Sequence, residues 1–328
     1  MNPRKTWLVA ASCSLLAFGV AACGDDDDST TDSGDSGSGE ALSGSVVIDG
    51  SSTVAPLSEP AGELFNQENQ DVQVTVGTSG TGGGFEAFCR GETDISDASR
   101  QIAEEEIAAC EKGGIDYEEV TVANDALTVV VNPENPVTCL TVEQVSEIYG
   151  TDSTISSWSE IEGLDAEFGE ELAIFSPGSD SGTFDYFTEA INGEEGVQRS
   201  QDVNIVGEDD NATVQGVAGS PGGIGYFGYS FFQENSDQLK ALEIDGGDGC
   251  VAPTPETTQS GDYSPLGRQL YIYPSAAALE RPEVLEFVNF YLDNVNSITE
   301  QAGFIALTEE QLAESEDTVA ALAGTGAE

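Results

Sequence analysis

Three short Gly/Ser/Thr segments, each set between an apolar β-type run and a helix pattern, constrain this chain more than anything else in it. They are Gly50-Ser51-Ser52-Thr53-Val54, Gly80-Thr81-Gly82-Gly83-Gly84 and Gly178-Ser179-Asp180-Ser181-Gly182-Thr183. The first follows Val46-Val47-Ile48 and precedes Val54, Leu57, Ala61, Leu64 and Phe65, which share one helix face. The second follows the alternating Val72, Val74 and Val76 and precedes Phe85, Phe88 and Cys89. The third follows residues 172–175 and precedes Phe184, Phe187 and Ile191. A helix N-terminus exposes unpaired N–H groups and the positive end of its dipole. Small residues let an anion reach the backbone, and hydroxyls add donors. Three such ends meeting at one point would make an oxyanion site that needs little formal positive charge.

The rest of the chain continues the alternation. Residues 94–99, 120–131, 203–206, 224–227 and 270–273 read as strands, and 102–111, 141–149, 283–292 and 308–322 as helices. That order predicts α/β domains with largely parallel sheets, whose ligands sit outside the carboxyl ends of the strands, where all three turns lie. None of the turns is a dinucleotide or nucleotide fingerprint. Position 85 is Phe where a Gly-x-Gly-x-x-Gly motif would end in glycine, and no turn carries Gly-Lys-Ser/Thr.

Composition removes whole classes of function. The chain contains no histidine, so a Ser-His-Asp triad and any His-ligated metal site are excluded. Nine Lys plus Arg stand against 61 Asp plus Glu, a net charge of −52. Such a surface argues against nucleic acid or an acidic membrane as partner and fits a saline habitat. Arg4, Lys5 and the apolar run 7–20 form a leader that ends in Val20-Ala21-Ala22-Cys23, similar to a bacterial lipoprotein box. Residues 1–22 are then a signal peptide, and Cys23 is the lipidated first residue of the mature chain. Residues 23–42, rich in Gly, Ser and acids, read as a flexible tether. Four cysteines remain, Cys89, Cys110, Cys139 and Cys250, an even number in an exported protein. Of the three pairings, Cys89–Cys110 with Cys139–Cys250 is favoured because the first closes a short loop. Zinc is the weaker alternative, since no two cysteines sit at the close spacing zinc sites use.

Five segments together carry a family resemblance. Ser51-Ser52-Thr53-Val54-Ala55-Pro56, Gly80-Thr81-Gly82-Gly83-Gly84-Phe85, Asp94-Ile95-Ser96-Asp97-Ala98-Ser99-Arg100, Ser181-Gly182-Thr183-Phe184 and Gly223-Ile224-Gly225-Tyr226 resemble the phosphate-binding proteins of phosphate ABC importers. The order and spacing match over most of residues 43–300. The resemblance implies an α/β, type II periplasmic-binding-protein fold: two lobes, two crossovers and a ligand cleft between them. Lobe I would span 43–122 plus about 262–328, and lobe II about 123–261. It implies a monomeric carrier and no enzyme. It would lack cofactor and metal, be fixed to the cell membrane only by its lipid, and hand inorganic phosphate to an ABC permease.

The same resemblance implies a ligand set. Ser52, Thr53 and Val54 would supply the first helix end, and Thr81 falls where the family usually has a binding serine. Ser181, Gly182 and Thr183 would supply the third end, from the opposite lobe. Better-known members carry an Arg four residues before that serine, where this chain has Pro177. They also carry a ligand-accepting Asp where it has Ser99 followed by Arg100. A branch with Ala-Ser-Arg would move the cation to the other lobe, making Arg100 the expected ligand cation and Arg90 its solvated rival. With Ser at 99, Asp97 and Asp180 are the nearest acceptors for the proton that phosphate keeps and sulfate lacks. Other readings are a binder of sulfate or a phosphonate, a phosphate sensor, and a secreted phosphatase, the last made remote by the missing histidine and metal cluster.

Overall fold

The computed structural model describes residues 42–179, 181–207 and 209–324. The leader, Cys23, all but the last residue of the expected tether, and Asp180 lie outside the described residues.

The described chain opens with β1 (Gly44–Gly50), α1 (Ala55–Glu68), β2 (Val72–Val76), α2 (Thr81–Phe88), β3 (Ile95–Ala98) and α3 (Glu104–Gly113). The long β4 (Val120–Val131) leads to β5 (Cys139–Thr141), α4 (Val142–Tyr149), β6 (Ala173–Ser176) and α5 (Gly182–Asn192). Then come β7 (Val203–Ile205), α6 (Asp210–Gly219), β8 (Gly223–Gly228), α7 (Tyr229–Glu234), β9 (Lys240–Ala241), β10 (Glu243–Asp245), β11 (Cys250–Val251) and α8 (Pro255–Gln259). The chain closes with β12 (Gly267–Pro274), α9 (Ala276–Leu279), α10 (Pro282–Gln301) and α11 (Glu309–Leu322).

The main sheet runs β2-β1-β3-β12-β4-β8-β6-β7, with β9 paired to the end of β4. β1 is parallel to β2 and β3, and β6 is parallel to β7 and β8. The middle departs from the expected parallel sheet: β12 is antiparallel to both β3 and β4, and β4 is antiparallel to β8. The physical reason is the route of the chain. β4 pairs with β12 along its first half, through Ala126, and with β8 from Leu127 onward. It therefore leaves one half of the molecule for the other, and β12 brings the chain back in the opposite sense. The two crossings lie side by side, with the Leu127 N–H donating to the Leu266 carbonyl at 2.8 Å.

Two principal cores flank that crossing. In one, Val46, Ile48, Phe65, Phe287 and Tyr291 pack α1 and α10 against β1 and its neighbours. In the other, Tyr149, Trp158, Phe187 and Tyr226 pack α4 and α5 against β6 and β8, and the Phe187 and Tyr226 rings stack at 3.6 Å. Each fully buried side chain of this kind contributes about 1.5–3 kcal/mol. A smaller cluster of Phe85, Phe88, Tyr271 and Tyr273 covers the opposite face around β3 and β12. Cys89 is bonded to Cys110, and Cys139 to Cys250. The first pair fastens the end of α2 to α3. The second joins the outer strands of a small β11-β10-β5 sheet. The arrangement is a two-lobed type II periplasmic-binding-protein fold, and the three Gly/Ser/Thr turns leave the carboxyl ends of β1, β2 and β6.

Candidate functional site

The three turns meet around a cavity of about 350 Å³. Ser51, Ser52 and Thr53 reach it from the β1–α1 turn, Gly80 and Thr81 from the start of α2, and Gly182 from the start of α5. Two glycines make the lobe I side possible. A β-carbon on Gly50, whose φ is +145°, would stand 2.1 Å from the Asp97 carbonyl oxygen. One on Gly84 would stand 2.5 Å from the Gly50 α-carbon, so α2 can press on the first turn only without a side chain there. A second cavity of about 480 Å³ shares Ser52, Thr53, Gly182 and Arg268 with the first and adds Ser181 and Thr183. Both belong to one cleft.

The helix ends at this cleft differ from five others in the fold, though α3, α7 and α10 also start without a side-chain cap. Thr141, Asp209, Thr254, Ser275 and Thr308 each cap their own helix by accepting a backbone N–H on the side-chain oxygen. Among the described residues α1, α2 and α5 have no side-chain cap, although hydroxyl residues stand at or beside each start. The Ser181 hydroxyl occupies the N-cap position of α5 without capping it. At α2 and α5 the first-turn N–H groups therefore keep the capacity to bind an anion. At α1 the Ala55 N–H already donates to the Ser51 carbonyl at 3.0 Å, the Leu57 N–H donates to the Val54 carbonyl at 2.8 Å, and Pro56 has no N–H. The Val54 N–H instead donates to the Ser51 carbonyl at 3.1 Å, and its side chain is buried away from the cavity. Thr81 and Ser99 hold each other: their hydroxyl oxygens are 3.1 Å apart, and the Ser99 N–H donates to Thr81 Oγ1 at 3.2 Å.

Two guanidinium groups line the cavity. Arg100 is 38% exposed and forms a two-pronged pair with Glu106, Nη1 to Oε2 at 2.8 Å and Nη2 to Oε1 at 2.9 Å. Glu106 Oε2 also accepts the Ala103 N–H at 2.8 Å, which is why α3 starts two residues later than the pattern predicts. Arg268, at the start of β12, is only 13% exposed. It donates from Nε to Asp125 Oδ2 at 3.2 Å, from Nη1 to the Ser99 carbonyl at 3.3 Å and from Nη2 to Thr53 Oγ1 at 3.3 Å. Its Cζ lies 3.4 Å from the centre of the Tyr186 ring. Burial pushes the Asp125 carboxyl up, and Arg268 draws it back down.

Sequence reasoning missed Arg268. Its signal was a basic residue beside a buried β-run in a chain with only nine such residues. Arg90 is exposed and bound by Glu86 and Glu92, outside the cavity.

Asp97 is fully buried but does not reach the cleft. Its Oδ1 accepts from the Ser58 hydroxyl at 3.0 Å, and that hydroxyl also meets the Tyr291 hydroxyl at 3.3 Å. On β3 its side chain is turned under α1 toward α10, because successive strand residues point to opposite faces. The acids that do line the cavity are Asp185, Glu189 and Glu195. Asp185 and Glu195 are both pushed up, first by burial and then by neighbouring carboxylates. Among the described residues, Cys139, Glu243 and Cys250 are close enough to share an ion, but the two sulfurs are joined in the disulfide.

Fold and cleft together define a two-lobed binding protein of the periplasmic-binding-protein class. A family model described as a PBP superfamily domain matches residues 34–295. Protein SphX of Synechococcus elongatus is 45% identical over 265 residues, covering 80% of this chain and 77% of SphX. Phosphate-binding protein PstS of Staphylococcus saprophyticus is 38% identical over 312 residues, covering 94% of this chain and 91% of PstS. The crystal structure of a possible phosphate binding protein from Planctomyces limnophilus matches with a TM-score of 0.80 at 43% identity, over 86% of this chain and 99% of that one. The chain belongs to the PBP superfamily and, within it, to the family of these SphX and PstS proteins.

Proposed function

We propose that this protein binds inorganic phosphate in the cleft and delivers it to the permease of an ABC-type importer. The observation that carries the proposal is the meeting at one cavity of the α2 and α5 starts, the Ser52 and Thr53 hydroxyls of the turn before α1, and the buried Arg268. An ion stripped of water there regains its hydrogen bonds from Ser52, Thr53, Thr81, Ser181, Gly182, Thr183 and the Arg268 guanidinium. Ser99 acts by fixing Thr81 and Arg268. Arg100 stands at the cavity edge, already engaged by Glu106, and serves as a secondary cation.

The carboxylates of Asp185, Glu189 and Glu195 favour phosphate over sulfate. A hydrogen-bearing oxyanion can donate to them, whereas a fully ionised one meets only repulsion. They take the acceptor role that the sequence pattern offered to Asp97. The chain acts as a carrier, as its family of binding proteins does, and works outside the cytoplasm. Lipidation at Cys23 would hold it to the membrane, and among the described residues no helix is long and apolar enough to cross one. We place the lobes at 43–122 with about 262–328 and at about 123–261, joined through β4 and β12; Ala123 packs in the first core, and Tyr263 and Leu266 pack in the second.

Calorimetric titration of the purified protein with phosphate, sulfate and arsenate tests the proposal. Tight phosphate and arsenate binding with sulfate at least a hundred-fold weaker is expected. Sulfate binding equal to phosphate would overturn the ligand assignment.

A further inference from the structure

We propose that Tyr186 is a positioning residue for the oxyanion, holding the Arg268 guanidinium in the plane from which it meets the ligand. The proposal rests on the oxyanion-binding reading of the cleft given above. The hydrogen-bond partners of Arg268 are Asp125, Ser99 and Thr53, which lie on β4 and on the lobe I side. The contact that crosses to α5 is the Tyr186 ring, 3.4 Å from Cζ. At that distance the guanidinium carbon sits directly over the ring, which keeps water from that side.

The ring is itself fixed at both ends. Gly182 and Tyr186 are one turn apart on α5, so the face that brings the helix start to the cleft also brings the ring to Arg268. At the far end the Tyr186 hydroxyl donates to the Pro265 carbonyl at 2.9 Å, three residues before Arg268 on the returning chain. Burial pushes this hydroxyl far up, so it remains a donor.

The consequence is a guanidinium with little freedom. Of its five N–H groups, Nε, one on Nη1 and one on Nη2 are engaged by protein. One N–H on each terminal nitrogen remains, and a stacked, edge-bonded plane presents both in a fixed direction. Without the ring the plane can turn about its bonds, and the ligand must order it at an entropic cost.

A double-mutant cycle tests this, read as phosphate affinity by calorimetry to millimolar ligand. Tyr186→Met removes the ring and leaves a smaller, flexible apolar side chain in its place, and should weaken phosphate about ten-fold. Tyr186→Phe restores the ring and should recover affinity to within about three-fold of wild type. In an Arg268→Gln background, Tyr186→Met should change affinity by less than about three-fold, because there is no plane left to hold. Equal losses in both backgrounds would mean that the ring only packs α5, and would overturn the proposal, as would no loss in the wild-type background. Circular dichroism checks folding. If Tyr186→Met does not fold, Tyr186→Leu takes its place in the same cycle. Wild type that prefers sulfate would sink the phosphate assignment alone, and the cycle would then be read with sulfate by the same ratios.

Discussion

Gly182 and Thr53 face each other across the cleft, from α5 and from the turn before α1. A β-carbon at 182 would stand 3.4 Å from the Thr53 hydroxyl oxygen and 3.9 Å from that of Ser52. Those distances are ordinary contacts for the protein alone, but they fill the space through which an ion reaches the α5 N–H groups. Gly182→Val should therefore weaken phosphate at least ten-fold while changing folding stability by less than about 1 kcal/mol. Calorimetry beside urea unfolding separates the two quantities. A variant that binds normally would show that the ion does not approach the α5 end.

The two cavity arginines differ in how much water they see. Arg268→Gln removes a charge-assisted donor from a site almost closed to solvent, which is worth about 1.5–3 kcal/mol, or roughly ten- to a hundred-fold in affinity. Arg100→Ala removes a group already paired with Glu106 and should cost clearly less. Arg90→Ala should cost nothing measurable, since Glu86 and Glu92 hold it at the surface. Titrating the three variants side by side settles the order. A loss for Arg100→Ala that equals that for Arg268→Gln would return the ligand cation to position 100.

What the sequence made legible was local. Each Gly/Ser/Thr turn is announced by the β-run before it and the helix spacing after it, and β4 spans the residues expected of it. Arg268 was not legible because nothing near it in sequence explains it. Its partners Thr53, Ser99 and Asp125 lie 215, 169 and 143 residues away. Only the return of β12 beside β4 brings them together. The antiparallel centre of the sheet was missed for the same reason, since alternation of strands and helices carries no information about two strands that cross between lobes. Asp97 misled because an acid beside Ala-Ser-Arg reads as part of the motif, while strand alternation turns its side chain to Ser58.

Asp97 should make stability depend on pH in a sense opposite to that of a salt-bridged acid. Burial raises its carboxyl to about 8, with Ser58 pulling it part of the way back and Asp49 adding to the rise. In an unfolded chain the group ionises near pH 3.9. Between these values the folded state holds a proton that the unfolded state has lost. Its contribution therefore falls as pH rises from about 4 to about 8 and is level above that. Asp97→Asn can still accept from Ser58 but does not titrate. Its stability relative to wild type should rise between pH 5.5 and 8.5, by at most about 1.4 kcal/mol per pH unit. Urea midpoints measured across that range give the slope, and a difference that stays constant with pH would rule out the buried carboxyl as its source.

Net charge sets the last expectation, because a chain at −52 must still capture an anion. The attraction is short-ranged: helix starts, hydroxyls and Arg268 act on an ion already inside the cavity. Repulsion is long-ranged, and Asp185, Glu189 and Glu195 bring it to the cavity wall. The Debye length is about 8 Å at physiological ionic strength and about 3 Å at 1 M. Added chloride salt therefore screens the surface acids before it weakens the contacts around the bound ion. Phosphate association should speed up with moderate salt, the reverse of ordinary electrostatic steering. Dissociation should change less, because the ion leaves from a cleft that bulk ions do not fill. Stopped-flow kinetics over a sodium chloride series, with folding checked at each point, measures both rates. An association rate that falls steadily with salt would place a positive field at the cleft mouth and confine the effect of the acids to the rest of the surface.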